Sequence, residues 1–109
     1  MKVNIKPLSV NAAWQGKRFK TKLYKQYEKD LFLILPAKIK IPEGKLAFYI
    51  KFGFSNSGSD NDNPLKPLQD VLQKKYNFND NRIYRTIIEK TIVPKGQEFI
   101  DFYFETFIC

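Results

Sequence analysis

Residues 46–54, LAFYIKFGF, place a large apolar side chain at every second position. The apolar set is Leu46, Phe48, Ile50, Phe52 and Phe54, and it alternates with Ala47, Tyr49, Lys51 and Gly53. Because successive side chains of a β-strand point to opposite faces, this period of two predicts a strand with one strongly apolar face. The segment is therefore expected to lie in a sheet that buries that face in the core.

Helices are predicted before and after this strand. The first is expected to begin after Thr21, whose side chain can cap it, and to end before Pro36. Its apolar positions follow helical spacing and are Tyr24, Tyr27, Leu31, Ile34 and Leu35. The second is expected to have Asn63 as N-cap and Pro64 in its first helical position. Its apolar face is Leu65, Leu68, Val71 and Leu72.

The remaining segments predict strands and one loop. Residues 2–8, KVNIKPL, are typical of a short strand, and residues 9–21, SVNAAWQGKRFKT, are typical of a loop. Two β-rich runs at 82–93 and 97–108 are expected to form a hairpin through the turn PKG at 94–96. The second run is apolar on both faces, which predicts a central strand or a subunit interface. The order β-loop-α-β-α-β-β predicts a single α+β domain over residues 1–109, with a small mixed sheet and two main helices.

The composition describes a folded and strongly basic chain. Its 109 residues suffice for one domain, and 19 Lys and Arg against 11 Asp and Glu give a net charge of +8. A field of this sign attracts polyanions, and nucleic acid is the first partner to consider. The alternative is that the charge serves only solubility, as in many small basic proteins.

Two residue counts restrict the possible chemistry. The chain has no histidine, and Cys109 is its only cysteine. This excludes an internal disulfide, a cysteine-based metal site and every nucleophile that needs a histidine base. Carboxylates, lysines, hydroxyls and a hard metal ion remain. No stretch approaches the roughly 20 apolar residues of a membrane span, so a soluble, cytoplasmic protein is expected.

Two acids precede the second helix in the segment SDNDNPLK, residues 59–66. In an extended backbone, Asp60 and Asp62 point the same way with Cα atoms about 6.5–7 Å apart, which leaves room for a divalent ion. Mg²⁺ relieves the repulsion between two such carboxylates. Asp80, in the loop after the helix, is the expected third ligand, and Lys66 in the first helical turn can stabilise a phosphoryl oxygen. This set suits phosphodiester hydrolysis, in which a metal lowers the pKa of the attacking water.

Other interpretations of the same residues stay open. The segment SDNDNP is also an ordinary Asx-rich turn and helix cap. Asp70 can form an i,i+4 ion pair with Lys66 or Lys74 on a solvated face. An EF-hand is excluded, because Pro64 and Leu65 occupy the loop positions of an oxygen ligand and the sharp-turn glycine.

The segments DNDNPLKPLQDVL, residues 60–72, and NDNRI, residues 79–83, together resemble the RusA family of Holliday-junction resolvases. The family pattern is Asp-x-Asp-Asn, a lysine at the start of a helix, Asp-x-Leu, and an Asp before a strand. Residues 9–14 and 18–30 are similar to the family's N-terminal Asn and aromatic loop and its first helix. Family members often carry paired acids where this chain has Asn79-Asp80, and a basic residue where it has Ser59.

The resemblance implies a function, a metal and a set of site residues. Asp60, Asp62 and Asp80 match the metal-binding acids of the family, and Lys66 matches its catalytic lysine. The resemblance further implies a small homodimer that uses Mg²⁺, with Mn²⁺ as a substitute, to cut symmetric strands of a four-way DNA junction. A two-fold dimer suits such a substrate, since each subunit offers one site to one strand.

A basic segment with interleaved aromatic residues is the predicted DNA contact. Its candidate DNA-binding residues are Asn11, Trp14, Lys17, Arg18, Phe19 and Lys20. Such a mixture suits phosphate contacts combined with stacking on exposed bases. The alternative is that Trp14 belongs to the core and the lysines are merely solvated.

The leading functional hypothesis is a metal-dependent, structure-selective endodeoxyribonuclease. A second is a non-catalytic nucleic-acid-binding module in which the acids only cap a helix. A third is an interaction protein that has no nucleic-acid role.

Overall fold

The computed structural model describes residues 1–9, 13–15, 19–58 and 62–108, with residues 14, 15 and 19 described by their backbone alone. The elements are β1 (Lys2–Val3), β2 (Trp14–Gln15), β3 (Phe19–Lys20), α1 (Lys22–Ile34), β4 (Leu46–Phe54), α2 (Leu65–Tyr76), a 3₁₀ turn (Asp80–Arg82), β5 (Ile83–Ile92) and β6 (Phe99–Thr106). A mixed four-stranded sheet with two helices is an α+β fold, as predicted. In the described part of the chain, neither helix has the length and apolar character needed to cross a bilayer.

Strand β4 lies inside the sheet, whose order is β1-β6-β4-β5. It pairs antiparallel with β6 and parallel with β5. The alternation predicted for residues 46–54 is confirmed, since Phe48 and Phe52 are fully buried while Lys51 on the opposite face is exposed. Phe48 stacks on Phe104 of β6 with ring centroids 4.5 Å apart. The apolar face of β4 therefore forms one side of the hydrophobic core.

The predicted hairpin between the last two runs is wrong. Strand β5 follows β4 through helix α2 and is parallel to it, so β6 takes the opposite side of β4. Between β5 and β6 the chain crosses the end of β4, where the Val93 N–H donates to the Phe54 carbonyl at 2.7 Å. The turn at PKG is present, with Gly96 at φ 92, but it carries the chain past a strand instead of folding two strands together. β6 lies between β1 and β4, as a central strand would.

Helix α1 forms as its sequence predicts. The Thr21 side chain accepts a hydrogen bond from the Tyr24 N–H at 3.1 Å and so caps the helix. Its buried positions are Tyr24, Tyr27 and Leu31, followed by Leu35 just after the helix ends. Ile34, expected on the apolar face, is 47% exposed. Ile34 therefore does not belong to the buried face of α1, contrary to the prediction.

Helix α2 begins one residue later than predicted. Pro64 takes the N-cap position and Leu65 the first helical position, whereas Asn63 was expected to be the cap. Pro67 lies within the first turn, where a missing N–H costs little, and it is buried. The helix ends at Asn77 in the left-handed conformation, φ 53. Both helices contribute to one core cluster with the apolar face of β4, so they cover the same face of the sheet.

The N-terminal region differs from prediction in two respects. The strand expected over residues 2–8 pairs with β6 only at Lys2 and Val3. The loop expected over residues 9–21 contains the short antiparallel pair β2 and β3, in which Trp14 is opposite Lys20. The Thr21 N–H donates to the Ala13 carbonyl at 3.0 Å and closes this ribbon at the start of α1. Two-residue strands give too short a pattern for periodicity to reveal them.

Candidate active site

Polar side chains of α1, α2 and β3 meet along one side of the two helices. They form two hydrogen-bonded groups that meet where Lys20 Nζ lies over the Tyr24 ring. Together they are here called the polar cluster, made of Lys20, Tyr24, Glu28, Lys66, Asp70 and Lys74. Tyr24 and Glu28 are one turn apart on α1, and they contact Asp70 and Lys74, one turn apart on α2. The helices therefore run side by side in the same direction where the cluster forms.

Asp70 is shared between a lysine and a buried tyrosine. Its Oδ1 accepts from Lys66 Nζ at 2.8 Å, and its Oδ2 accepts from the Tyr24 hydroxyl at 3.2 Å. The Asp70 side chain is 20% exposed and that of Lys66 is 57% exposed, while Tyr24 has no exposed surface. The i,i+4 pair of Asp70 with Lys66, one of the alternatives open from the sequence, is confirmed.

The pKa values of Lys66 and Tyr24, the two partners of Asp70, are both raised. The hydrogen bond to Asp70 raises the pKa of Lys66, and the negative charge of Asp80 acts in the same sense. Burial raises the pKa of Tyr24, and the charge of Asp70 adds to this effect. Lys66 is therefore cationic at neutral pH, and Tyr24 keeps the proton that it donates.

Glu28 joins the other two lysines of the cluster. Its carboxylate accepts from Lys20 Nζ at 2.9 Å and from Lys74 Nζ at 2.7 Å, and its side chain is 18% exposed. Partial burial opposes the charge of Glu28, but the hydrogen bonds from Lys74 and Lys20 outweigh it and lower the pKa of the carboxyl. Lys20 Nζ also lies 5.0 Å from the ring centroid of Tyr24. The predicted DNA contact Lys20 is thus held against α1 by an acid and an aromatic ring.

Asp80 is held at the start of the 3₁₀ turn by contacts on both of its sides. Its N–H donates to Gln73 Oε1 of α2 at 2.9 Å. Arg82, two residues on, donates to the carbonyls of Gly44, at 3.0 Å, and of Pro42. The Asp80 carboxylate is half-buried and lies within electrostatic range of Lys66. Among the predicted site residues, Lys66 and Asp80 are therefore near enough for the charge of Asp80 to help raise the pKa of Lys66.

Asp62 lies in the bend that leads into α2. Its carbonyl accepts from the Leu65 N–H at 3.1 Å, and the residue is exposed. Asp60, the first predicted ligand, lies outside the described residues. Within residues 1–9, 13–15, 19–58 and 62–108, no three acidic or cysteine side chains converge in a group that could hold a metal ion. The predicted three-acid site therefore stays a prediction.

The acids near α2 fall into two kinds. Glu28 and Asp70 are occupied by lysines, whereas Asp62 and Asp80 form no ion pair with any side chain in the described part of the chain. Mg²⁺ binds hard carboxylate oxygens, and a carboxylate that is already paired with lysines is less available to it. In donor chemistry, Asp62 and Asp80 fit that ion.

The predicted DNA-binding residues are only partly within the described chain. Trp14 and Phe19 lie in the ribbon of β2 and β3, and Lys20 follows Phe19 and reaches the polar cluster. Asn11, Lys17 and Arg18 lie outside the described residues. The ribbon leads directly into α1 through Thr21, so its position is linked to that of the cluster.

Local sequence spacing does not predict that Tyr24 and Glu28 belong to the cluster, and it offers Lys74 only as a partner of Asp70 instead of Glu28. Tyr24 was assigned to the apolar face of α1, and its ring is indeed buried there, but its hydroxyl reaches α2. Its partner Asp70 is 46 residues away in sequence, as Lys74 is from Glu28. Local spacing carries no signal for such contacts.

No family model matches the chain, and a search of curated proteins found no significant match.

Proposed function

We propose that the protein is a Mg²⁺-dependent, structure-selective endodeoxyribonuclease that resolves four-way DNA junctions. The observation that supports this most directly is the placement of Lys66. It lies at the start of α2, is fixed by Asp70, and is within the field of Asp80, whose carboxylate is not taken up by a lysine of the described chain. The resemblance of residues 60–72 and 79–83 to the RusA family supports the same conclusion.

Each site residue has a role that its chemistry permits. Asp62 and Asp80, with Asp60, are the residues that would hold Mg²⁺ or, as a substitute, Mn²⁺. When bound, the ion supplies positive charge at the phosphate and lowers the pKa of water. Lys66 keeps its proton and places an ammonium group near the positive end of the α2 dipole, where it stabilises charge that grows on a phosphoryl oxygen.

The partner is branched DNA, and the active form is a homodimer. The net charge of +8 attracts the phosphate backbone, and the basic, aromatic sequence of residues 9–21 suits phosphate contacts and stacking. Two sites related by a two-fold axis match two symmetric strands of a junction. Such a function belongs to the cytoplasm, where DNA is present.

Cleavage of a synthetic mobile four-way junction tests this proposal. With Mg²⁺ or Mn²⁺ we expect paired, symmetric incisions, and with EDTA we expect none while the junction still shifts on a gel. Sedimentation of the protein with and without the junction measures the dimer. Tight junction binding without any incision in either metal would refute the nuclease.

Asp62→Asn provides the residue-level test. The amide keeps the shape of the side chain but loses the charge that a hard cation needs, so cleavage should fall by about 100-fold or more. Junction affinity should not decrease, since a negative charge is removed from a DNA-binding protein. Asp30→Asn is the matched control, because Asp30 is an exposed acid of α1 that accepts from Gln26 at 2.7 Å. Equal cleavage by the two variants would contradict the role of Asp62.

A second candidate function is a nucleic-acid-binding module without catalysis. The observation in its favour is that the Asp70 carboxylate already pairs with Lys66 at 2.8 Å, so the lysine has a partner in the fold without any catalytic role. Such a module would bind junctions in a salt-sensitive way and leave them uncut in every metal.

A further inference from the structure

The geometry points to Asp70 and Tyr24 as positioning residues that hold the Lys66 ammonium group in place for the reaction. This inference rests on the proposed function, because it assigns a task to residues around the proposed catalytic lysine. Tyr24 and Asp70 touch neither DNA nor metal in this assignment. They act through Lys66 alone.

Tyr24 is held rigidly in the core. Its side chain is fully buried in the core, and its backbone N–H is tied to the Thr21 side chain at the start of α1. A buried aromatic ring in a packed interior has little freedom to change rotamer. Its hydroxyl is therefore a fixed point that α1 presents to α2.

The Tyr24 hydroxyl contacts one carboxylate oxygen of Asp70 and leaves the other for Lys66. The Tyr24 hydroxyl donates to Oδ2 at 3.2 Å, and Lys66 Nζ donates to Oδ1 at 2.8 Å. Since the two oxygens belong to one planar group, holding one of them orients the other. The position of the Lys66 ammonium is thus transmitted from the core through two hydrogen bonds.

An ion pair of Lys66 with Asp70 alone, without Tyr24, would not hold the ammonium group in one position. Lys66 is 57% exposed, and an exposed i,i+4 pair on its own is weak, since both long side chains lose entropy on pairing. A site that must stabilise a developing charge works best when the charged group is oriented before the substrate arrives. The Tyr24 hydroxyl supplies that orientation without adding a charge of its own.

Tyr24→Phe tests the inference, because it removes the hydroxyl and keeps the ring. Tyr27→Phe is the matched control: Tyr27 lies on the same helix, is buried, and its hydroxyl has no hydrogen-bond partner in the described part of the chain. In junction cleavage we expect Tyr24→Phe to lower kcat by about tenfold with KM unchanged, since a misplaced catalytic group affects the transition state and not binding. Tyr27→Phe should stay within about twofold of the original rate.

A double-variant comparison separates positioning from a general structural effect. If Tyr24 acts only through Asp70, then Tyr24→Phe should cost nothing further in kcat when Asp70→Asn is already present. Fully additive losses, or equal rates for Tyr24→Phe and Tyr27→Phe, would overturn the inference.

A measurement without DNA distinguishes failure of this inference from failure of the nuclease proposal. In a ¹³C–¹H correlation spectrum, the Lys66 Cε signal, identified by its loss in Lys66→Arg, should move in Tyr24→Phe and stay in place in Tyr27→Phe. An unmoved Lys66 signal in Tyr24→Phe would overturn the positioning role even if the protein cuts junctions. A moved signal in a protein that cuts no junction would support the coupling of Tyr24 to Lys66 through Asp70 and would refute the proposed nuclease activity.

Discussion

The polar cluster and the opposite, outer face of the sheet both carry ion pairs, yet they hold them very differently. The outer face is the side of the sheet away from the helices and includes Tyr49, Lys51, Ile87, Glu89 and Tyr103. In the cluster the three ion pairs measure 2.7 to 2.9 Å, and each acid is at most 20% exposed. On the outer face, Lys51 and Glu89 are 4.0 Å apart, with 49% and 66% of their side chains exposed.

The two regions differ in the number and kind of side chains that contact each acid. Asp70 is braced by the buried Tyr24, and Glu28 is braced by two lysines at once. Glu89 has Lys51 as its ion-pair partner in the described part of the chain, across two neighbouring strands. Fixing a charged side chain costs conformational entropy, which isolated surface pairs do not recover. In the polar cluster this cost is offset by contacts from buried or neighbouring side chains, so its charged groups are oriented before any ligand binds.

The largest expected difference between the two regions is in catalysis. Lys66→Ala should lower junction cleavage by about 100-fold, because it removes the ammonium proposed to stabilise the transition state. Lys51→Ala removes the same charge from a similarly exposed, ion-paired lysine on the outer face and should leave the rate within about twofold. Single-turnover rates with saturating enzyme compare the chemical step directly. Equal losses in the two variants would show that overall charge matters and the location of Lys66 does not.

The sequence predicted those parts of the fold that depend on local pattern. Strand β4 follows from its alternation, and α1 from its apolar spacing and the Thr21 cap. The pairing of β5 and β6 was predicted wrongly, because both runs are β-rich and a short turn joins them, which is equally compatible with a hairpin. What decides against it is that the crossover through α2 makes β5 parallel to β4 and leaves the other edge of β4 for β6.

The candidate site likewise has contacts that local spacing predicts and contacts that depend on tertiary packing. The pair of Lys66 with Asp70 was predictable because both residues lie one turn apart on one helix. The contact of Asp70 with Tyr24 was not, since it depends on how α1 packs against α2. The same holds for Asp80, whose position depends on Gln73 and on the hydrogen bonds of Arg82 to the 42–44 turn. Sequence spacing predicts contacts along one helix, and tertiary packing determines which residues of different elements touch.

Gly53→Ala tests whether the outer face is loosely packed away from the ion pair of Lys51 with Glu89. Gly53 of β4 lies beneath the Phe99 ring of β6, and a Cβ at this position would collide with that ring. Phe99 is 8% exposed and has Lys2 Nζ 4.4 Å from its ring centroid, so the ring cannot easily move away. Gly53→Ala should therefore destabilise the fold by about 2 kcal/mol.

The matched control for Gly53→Ala is Gly58→Ala. Gly58 lies in an exposed turn, where an added Cβ would lie 3.3 Å from the Asn56 side-chain oxygen. That oxygen belongs to an exposed side chain, and alanine also restricts the unfolded chain, so the change should be within about 0.5 kcal/mol. Urea denaturation measures both variants. Equal stability of the two would mean that the outer face is loosely packed at Gly53 as well.

The smallest expected effect concerns pH and compares two glutamates. The pKa of Glu28 is lower in the folded protein than the usual value near 4.3 in an unfolded chain, so its contribution to stability is fully present above that value. It is lost as the pH falls through the folded pKa. Glu28→Gln should therefore destabilise the protein by about 1 kcal/mol at pH 7, and the difference should shrink toward zero as the pH falls below the folded pKa of Glu28. Glu89→Gln, on the exposed pair, should change stability by less than about 0.5 kcal/mol at pH 7.

Thermal unfolding of both variants across this pH range provides the comparison. A Glu28→Gln deficit that persists undiminished in acid would show that shape rather than charge holds the cluster together, and a deficit no larger than that of Glu89→Gln would remove the distinction between the two regions.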